Sequence, residues 1–280
     1  MESATALGSN EVKLDSTKEH AMANSSSGTT TRWPADVTTL SIDVGGTGLK
    51  ASVLDPKGVM MADRVRVETP YPCPPTTLVK SLQVIAKQLP SFHRVSVGFP
   101  GLVRHGKVIQ VPAFSRRVYG GPPDPDLVQM WSGFDLAGAL ARAFKVPVKV
   151  ANDADVQGCA VVDGVGFEFV MTLGTGCGTA VFSDGKLLPH MELSHAPFRK
   201  GQTFDILLGN AARKSDGKKK WRRNVMRAVK AFDDFLYFDS IYIGGGNAKH
   251  VSAVDFGPKA TIVPNTAGIL GGIRIWDLED

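Results

Sequence analysis

Apolar positions fall in short blocks along most of the chain, and nearly every block ends at a glycine, proline or asparagine. TTLSIDV (38–44) predicts a strand running into a glycine-rich turn. LKASVLD (49–55) and VMMADRVRV (59–67) predict two more strands around a PKG turn. LVKSLQVIAKQL (78–89) has helical spacing, and RVSVGFP (94–100) reads as a buried strand stopped by a Pro-Gly pair. FDLAGALARAF (134–144) predicts a short helix leading into the strand of VPVKVAND (146–153). FEFVMTLGT (167–175) and GTAVFSDGKLL (178–188) predict a second hairpin. A basic helix over about 218–237, the strand SIYIGGG (240–246) and a glycine-rich helix from Thr266 complete the pattern. Hairpins interleaved with helices imply an α/β architecture.

An internal repeat sharpens this. Gly46-Thr47-Gly48 precedes Val53-Leu54-Asp55 and a turn at Gly58. Gly174-Thr175-Gly176 precedes Val181-Phe182-Ser183-Asp184 and a turn at Gly185 at the same spacing, 128 residues further on. The repeat predicts a duplicated α/β domain, with lobes at 37–150 and 151–280 around a central cleft. Residues 1–36 are rich in Ser and Thr and lack sustained apolar periodicity, so a disordered tail is expected there. That stretch has no apolar core of a secretory signal. Its acids Glu2, Glu11, Asp15 and Glu19 argue against a transit peptide, so a cytoplasmic location is expected.

Composition adds exclusions. With 280 residues, 43% hydrophobic and 21% charged, the chain is not largely disordered. No run approaches the ~18 apolar residues of a membrane span. A net charge of +5 permits an anionic ligand without demanding nucleic acid. Cys73, Cys159 and Cys177 are odd in number and far apart, which predicts buried thiols rather than a disulfide framework or zinc site.

Three glycine turns carry the chemistry. In Asp43-Val44-Gly45-Gly46-Thr47-Gly48-Leu49-Lys50, a strand delivers glycines whose backbone N–H groups can approach a phosphate closely. Thr47 adds a hydroxyl, and Asp43 is placed to hold a Mg²⁺-bound water. A strand follows where a Walker A loop needs a helix, so that motif is excluded. Leu173-Gly174-Thr175-Gly176-Cys177-Gly178-Thr179 is its repeat partner, suited to the other end of a phosphate chain. Gly244-Gly245-Gly246 ends a strand and is expected to open a helix, where amides and the helix dipole suit an anion.

These turns, with VGFPGLVRHGKV, VKVANDADVQG, MELSH and NTAGILGG, resemble the sugar-kinase/actin/heat-shock-protein ATPase superfamily. Within it they resemble the ROK group (repressors, open reading frames, kinases), in its polyphosphate- or ATP-dependent glucokinase and glucomannokinase branch. The resemblance covers about residues 38–275. It implies a duplicated ribonuclease-H-like fold and transfer of a phosphoryl group to the 6-hydroxyl of glucose or a close hexose. ATP or inorganic polyphosphate would be the donor, with Mg²⁺, and a homodimer is a possible assembly. It also implies that Asn152 and Asp153 grip sugar hydroxyls with Asp153 as general base, that Glu192 and His195 contact the sugar, and that Gly101 brings backbone close to it. Read on residue type alone, Asn152-Asp153 is also an Asx cap for a helix beginning at Ala154, and Glu192 and His195 are equally a surface acid and a satisfied histidine.

The chain departs from the family pattern in three places. The CxCGxxGC zinc cluster of many ROK proteins is absent, Ser194 stands where relatives usually have Gly, and 113–131 is longer and less like the family than its surroundings. The stretch 212–232 holds nine basic residues against one acid, Asp216. It reads either as a solvated helix face or as a docking face for polyphosphate, with Trp221 as a base-stacking option. Two other functions stay open. A sugar-responsive regulator would need a helix-turn-helix that 1–36 does not pattern, and a binding-only relative would not use Asp153.

Overall fold

In the computed structural model, which describes residues 33–263 and 267–277, the first expected strand is β1 (Thr39–Val44), buried along nearly its whole length. The expected tail lies outside the described residues as far as residue 32, as does Thr266. β1 turns back into β2 (Leu49–Leu54), and β3 (Val65–Val67) pairs antiparallel beside it. The strand expected over 59–67 is cut to three residues. Asp55 folds 55–59 into a tight turn by accepting from the backbone N–H of Lys57 and Val59, and Val59, Met60 and Met61 are left exposed. Helix α1 (Pro75–Ala86) starts three residues before the expected helix, because Pro75 sits at its first turn where no N–H is needed.

β4 (Arg94–Phe99) runs parallel to β1 and is wholly buried. A small hairpin of β5 (Leu102–Arg104) and β6 (Lys107–Gln110) follows. The unassigned 113–131 segment contains a helix, α2 (Pro125–Trp131), capped by Asp124 accepting from Leu127 N. Trp131, its buried anchor, donates from Nε1 to the Cys73 carbonyl at 3.0 Å. α3 (Leu136–Phe144) is capped the same way by Asp135 and leads to β7 (Val148–Asn152), parallel to β4. The first sheet therefore has the order β3-β2-β1-β4-β7.

The second half repeats it. After α4 (Asp153–Cys159) come β8 (Phe167–Leu173), β9 (Cys177–Ser183) and the short β10 (Lys186–Leu187). A hairpin of β11 (Pro197–Arg199) and β12 (Gln202–Thr203) leads into the helices α5 (Phe204–Leu208), α6 (Asn210–Asp216) and α7 (Lys218–Leu236). β13 (Ser240–Gly244) and β14 (Ala260–Ile262) complete a sheet ordered β10-β9-β8-β13-β14. In both sheets the two successive pairings on one side of the central strand are antiparallel and the two on the other side are parallel, as a duplicated ribonuclease-H-like fold requires.

The expected boundary at 150/151 falls inside β7, and α4 follows at once. The last helix, α8 (Ala267–Arg274), returns to lie against α4, β1 and β4. Gly271 and Gly272 allow that approach, since a Cβ would run into the Val156 carbonyl at the first and Ser41 Oγ at the second. Each sheet has its own core. One gathers Phe99, Phe114 and Trp131, the other Phe169, Phe204, Trp221 and Phe232. The three cysteines are buried thiols, as expected, and burial pushes Cys73 and Cys159 up to about 12. Among the described residues no helix is long and apolar enough to cross a membrane.

Candidate functional site

The turn between β1 and β2 closes through Gly45 N donating to the Gly48 carbonyl at 3.0 Å. Two side chains from outside the motif hold it. Thr69 Oγ1 donates to the Gly45 carbonyl at 2.6 Å, and Tyr71 OH to the Gly46 carbonyl at 2.8 Å. Engaging both carbonyls removes acceptors that would repel an anion and leaves the amide side of the turn for it. Neither residue was singled out from the sequence, and nothing local marks them. Tyr119, from 113–131, lies over Gly46, where a Cβ would stand 3.1 Å from its ring.

Cross-strand register builds a charged row beside this turn. Asp43 on β1 faces Lys50 on β2, with Lys50 Nζ 2.7 Å from Asp43 Oδ2, and Lys50 in turn faces Arg66 on β3. Arg64 and Arg66 both line the cleft. They alternate with Val65 and Val67, a signal that becomes readable once β3 is known to pair with β2.

The turn between β8 and β9 is one residue shorter and is held differently. Gly174 N donates to the Gly176 carbonyl at 2.9 Å. Asn210 N donates to the Gly174 and Thr175 carbonyls, and Asn247 Nδ2 to the Gly174 carbonyl at 3.0 Å. Asp205 Oδ1 accepts from Cys177 N at 2.7 Å. The third cluster does not open an α-helix: a 3₁₀ turn at Ala248–His250 follows, so the expected helix dipole is missing there. Gly245 has φ +85° and packs so tightly that a Cβ would stand 2.5 Å from the Leu173 carbonyl. Gly245 and Gly246 face the cleft, whereas Gly244, the end of β13, packs against Val263 and Gln157.

At the end of β7, Asn152 is the cap. Its Oδ1 accepts from Ala154 N at 2.7 Å and its Nδ2 donates to the Gly101 carbonyl at 3.2 Å, with the residue 6% exposed. Gly101 needs to be glycine for this chain's own packing, because a Cβ would run into the Gln110 carbonyl. Asp153 opens α4 and is itself exposed, on the cleft. Desolvation first, and the Asp43 carboxylate second, push its pKa up to about 7.

Glu192 and His195 line the same cleft, with His195 Nε2 3.8 Å from Glu192 Oε2. Behind them stands a pair that sequence reasoning missed. His190, 6% exposed, has Nδ1 2.9 Å from Asp155 Oδ1 and Nε2 3.7 Å from Glu192 Oε1. Burial alone would lower the imidazole pKa, but the Asp155 hydrogen bond and then Glu192 override it and push it up to about 9. Burial pushes the Asp155 carboxyl up in turn, yet with Glu192 as a second carboxylate the group carries its proton on His190. Burial also opposes ionisation of Glu192, but His190 and His195 hold its carboxyl below the ordinary range. Ser194 is buried in the same turn, 1% exposed.

The cleft encloses ≈640 Å³ and brings together every residue expected from sequence except Gly244. Its lining combines glycine amides, Thr47, Thr175 and cations, complementary to phosphate, with Glu192, His195 and Asp153, whose carboxylates and imidazole suit sugar hydroxyls. Among the described residues no cluster of three or more His, Cys, Asp or Glu could cage a metal ion. Asp43, close enough to Asp153 to raise its pKa, suits a Mg²⁺ that keeps most of its waters and shares one or two carboxylates with a ligand's phosphates.

Residues 39–192 match the model of the ROK family. The chain is 28% identical over 246 residues to the polyphosphate glucokinase of Mycobacterium tuberculosis (strain H37Ra), covering 82% of this chain and 88% of that one. Its fold superposes with a TM-score of 0.71 on the inorganic polyphosphate/ATP-glucomannokinase of Arthrobacter sp. strain KM, at 28% identity over 86% of this chain and 99% of that one. A ROK family glucokinase from Streptomyces griseus, solved with glucose and AMPPNP, has the same fold at 16% identity and a TM-score of 0.66, covering 85% of this chain and 98% of that one.

Proposed function

Because the chain belongs to the ROK family, we propose that it is a hexose kinase, transferring the terminal phosphoryl group of inorganic polyphosphate or ATP to the 6-hydroxyl of glucose or a close hexose such as mannose. The observation that carries this reading is that Asp153, at the start of α4, lines the same cleft as both glycine turns, Glu192 and His195.

A sugar hydroxyl is a weak nucleophile until a positioned base takes its proton, an effect worth typically ~10²–10⁴-fold. Asp153 accepts that proton as the sugar oxygen bonds to the terminal phosphorus. The bridging P–O bond breaks, and ADP or a polyphosphate shorter by one unit leaves. Glu192 accepts from one ring hydroxyl and His195 engages another, while Asn152 fixes the α4 start so that Asp153 points at the reacting oxygen. Amides of 46–48 and 175–176, with Lys50, Arg64 and Arg66, hold the donor and offset the charge on the transferred group. Mg²⁺, held through Asp43 and the donor phosphates, would supply further charge neutralisation. A binding-only protein has no use for a base poised in this way.

The test is a coupled assay for glucose 6-phosphate with Mg²⁺, run with ATP and with long-chain polyphosphate, and repeated with mannose and amino sugars. Product with at least one donor is the expected result. No phosphorylated sugar from any hexose with either donor would overturn the reading.

A further inference from the structure

The sequence leaves the basic stretch 212–232 open between a solvated face and a docking surface, and the fold separates its members. Trp221 is fully buried and donates from Nε1 to the Leu208 carbonyl at 2.8 Å, so it does not stack on a base. Arg222 is paired with Asp255, and Lys230 with Asp234 at 2.8 Å. These cations are neutralised within the chain.

Others converge. A cavity of ≈140 Å³ lies between α7 and the β11–β12 hairpin, lined by Arg199, Lys200, Lys220, Arg223 and Arg227, with Asp216 the only acid on its wall among the described residues. Arg199 and Lys200 come from outside the basic stretch and were not marked by it. Asp216 is engaged by Lys220 at 2.7 Å, and Arg199 Nη1 donates to Asn224 Oδ1 at 3.2 Å, a neutral partner. Arg223 and Arg227 are exposed and one helical turn apart on α7, an i,i+4 like-charge pair that disfavours the helix on its own. Five cations around one acid in a concave site are complementary to a polyanion. α5 links this cavity to the catalytic cleft, with Asp205 on the cleft side and Leu207 on the cavity side. Asn210, which binds the 174–176 turn, starts the helix that ends at Asp216.

We propose that this cavity is a docking subsite for the distal part of an inorganic polyphosphate chain whose terminal phosphate lies in the cleft. The inference rests on the kinase reading for the identity of the chain. Repeating phosphate charge fits a row of guanidinium and ammonium groups at helical spacing, and bidentate Arg contacts suit phosphate oxygens.

Equilibrium binding tests the subsite apart from catalysis. End-labelled long-chain polyphosphate is titrated against wild type, R223Q/R227Q, K200Q and a K214Q/K218Q/K219Q control outside the cavity, with thermal melts to confirm folding. The double variant should bind at least tenfold more weakly. Its slope of log K on log salt should fall by roughly 1.4, about 0.7 per cation lost. K200Q should weaken binding in the same direction, and the control should change less. Where transfer from polyphosphate occurs, the KM advantage of long chains over tripolyphosphate should vanish in R223Q/R227Q. Unchanged polyphosphate binding in both cavity variants would overturn the proposal, as would tighter binding of a single-stranded oligonucleotide than of polyphosphate to wild type. Cavity-dependent binding without any sugar phosphorylation would sink the kinase reading and leave the anion site standing.

Discussion

Replacing Asp153 by Asn separates base chemistry from everything else this residue does. The amide is nearly isosteric, and its oxygen can still accept from Ala154 N, now 3.0 Å from Asp153 Oδ1, while Asn152 Oδ1 holds the same amide at 2.7 Å. The start of α4 therefore survives. Glu192, His195 and Asn152 keep their places, so the hexose Kd should stay within about tenfold, the worth of one hydrogen bond. Turnover loses general-base catalysis, ~10²–10⁴-fold or about 3–5 kcal/mol of transition-state stabilisation. Stability should move the other way. The folded pKa of Asp153, about 7, lies above its ordinary value of 3.8, so folding is disfavoured once the group ionises. That penalty is absent below about pH 4, grows between the two values, and is complete above about pH 7. Asp153→Asn should accordingly melt higher than wild type at pH 8 and match it at pH 4. Steady-state kinetics, glucose calorimetry and melts at the two pH values read the three signatures. Turnover within tenfold of wild type would remove Asp153 from the mechanism.

Three further outcomes follow from particular contacts. In the Mg²⁺-free protein the Asp153 carboxyl should titrate near 7, and Asp43→Asn should move that titration to lower pH by removing the neighbouring carboxylate; an NMR titration that stays put would deny the coupling. Gly174→Ala meets no protein atom within 4 Å, so a lost donor KM there reports the approach of phosphate itself, whereas Gly176→Ala runs into Asp205 Oδ1 and should destabilise the fold; equal melting of the two variants would contradict this. His190→Ala leaves Asp155 buried without its partner and should cost about 3 kcal/mol. Because the His190 pKa is raised from 6.5 to about 9, that cost should be full below about pH 6.5 and fade as pH rises through 9, which melts across this range would show.

Much of the fold was legible because its signals are local. β1 and β8 are apolar runs that end at glycine turns, and the 128-residue offset of those turns fixed the duplication that the two strand orders display. Asp153 was marked by the family resemblance of VKVANDADVQG, since residue type alone left an Asx cap open there too. What stayed hidden is held by contacts distant in sequence. Thr69 and Tyr71 reach back 24 and 25 residues to the first turn, and His190 reaches 35 to Asp155. α2 was masked by its prolines and glycines, although Asp124-Pro125 is an ordinary helix start. The split of the basic stretch into paired, buried and converging members depended on which face of α7 packs inward, and on a hairpin that contributes Arg199 and Lys200.

The most direct measurement is a phosphorus NMR record of the protein mixed with glucose, Mg²⁺ and each donor in turn. The account predicts a growing sugar 6-phosphate resonance matched by loss of terminal donor phosphate, and its absence when Asp153→Asn replaces wild type. Release of orthophosphate alone, or no change with either donor across the hexose panel, would contradict it.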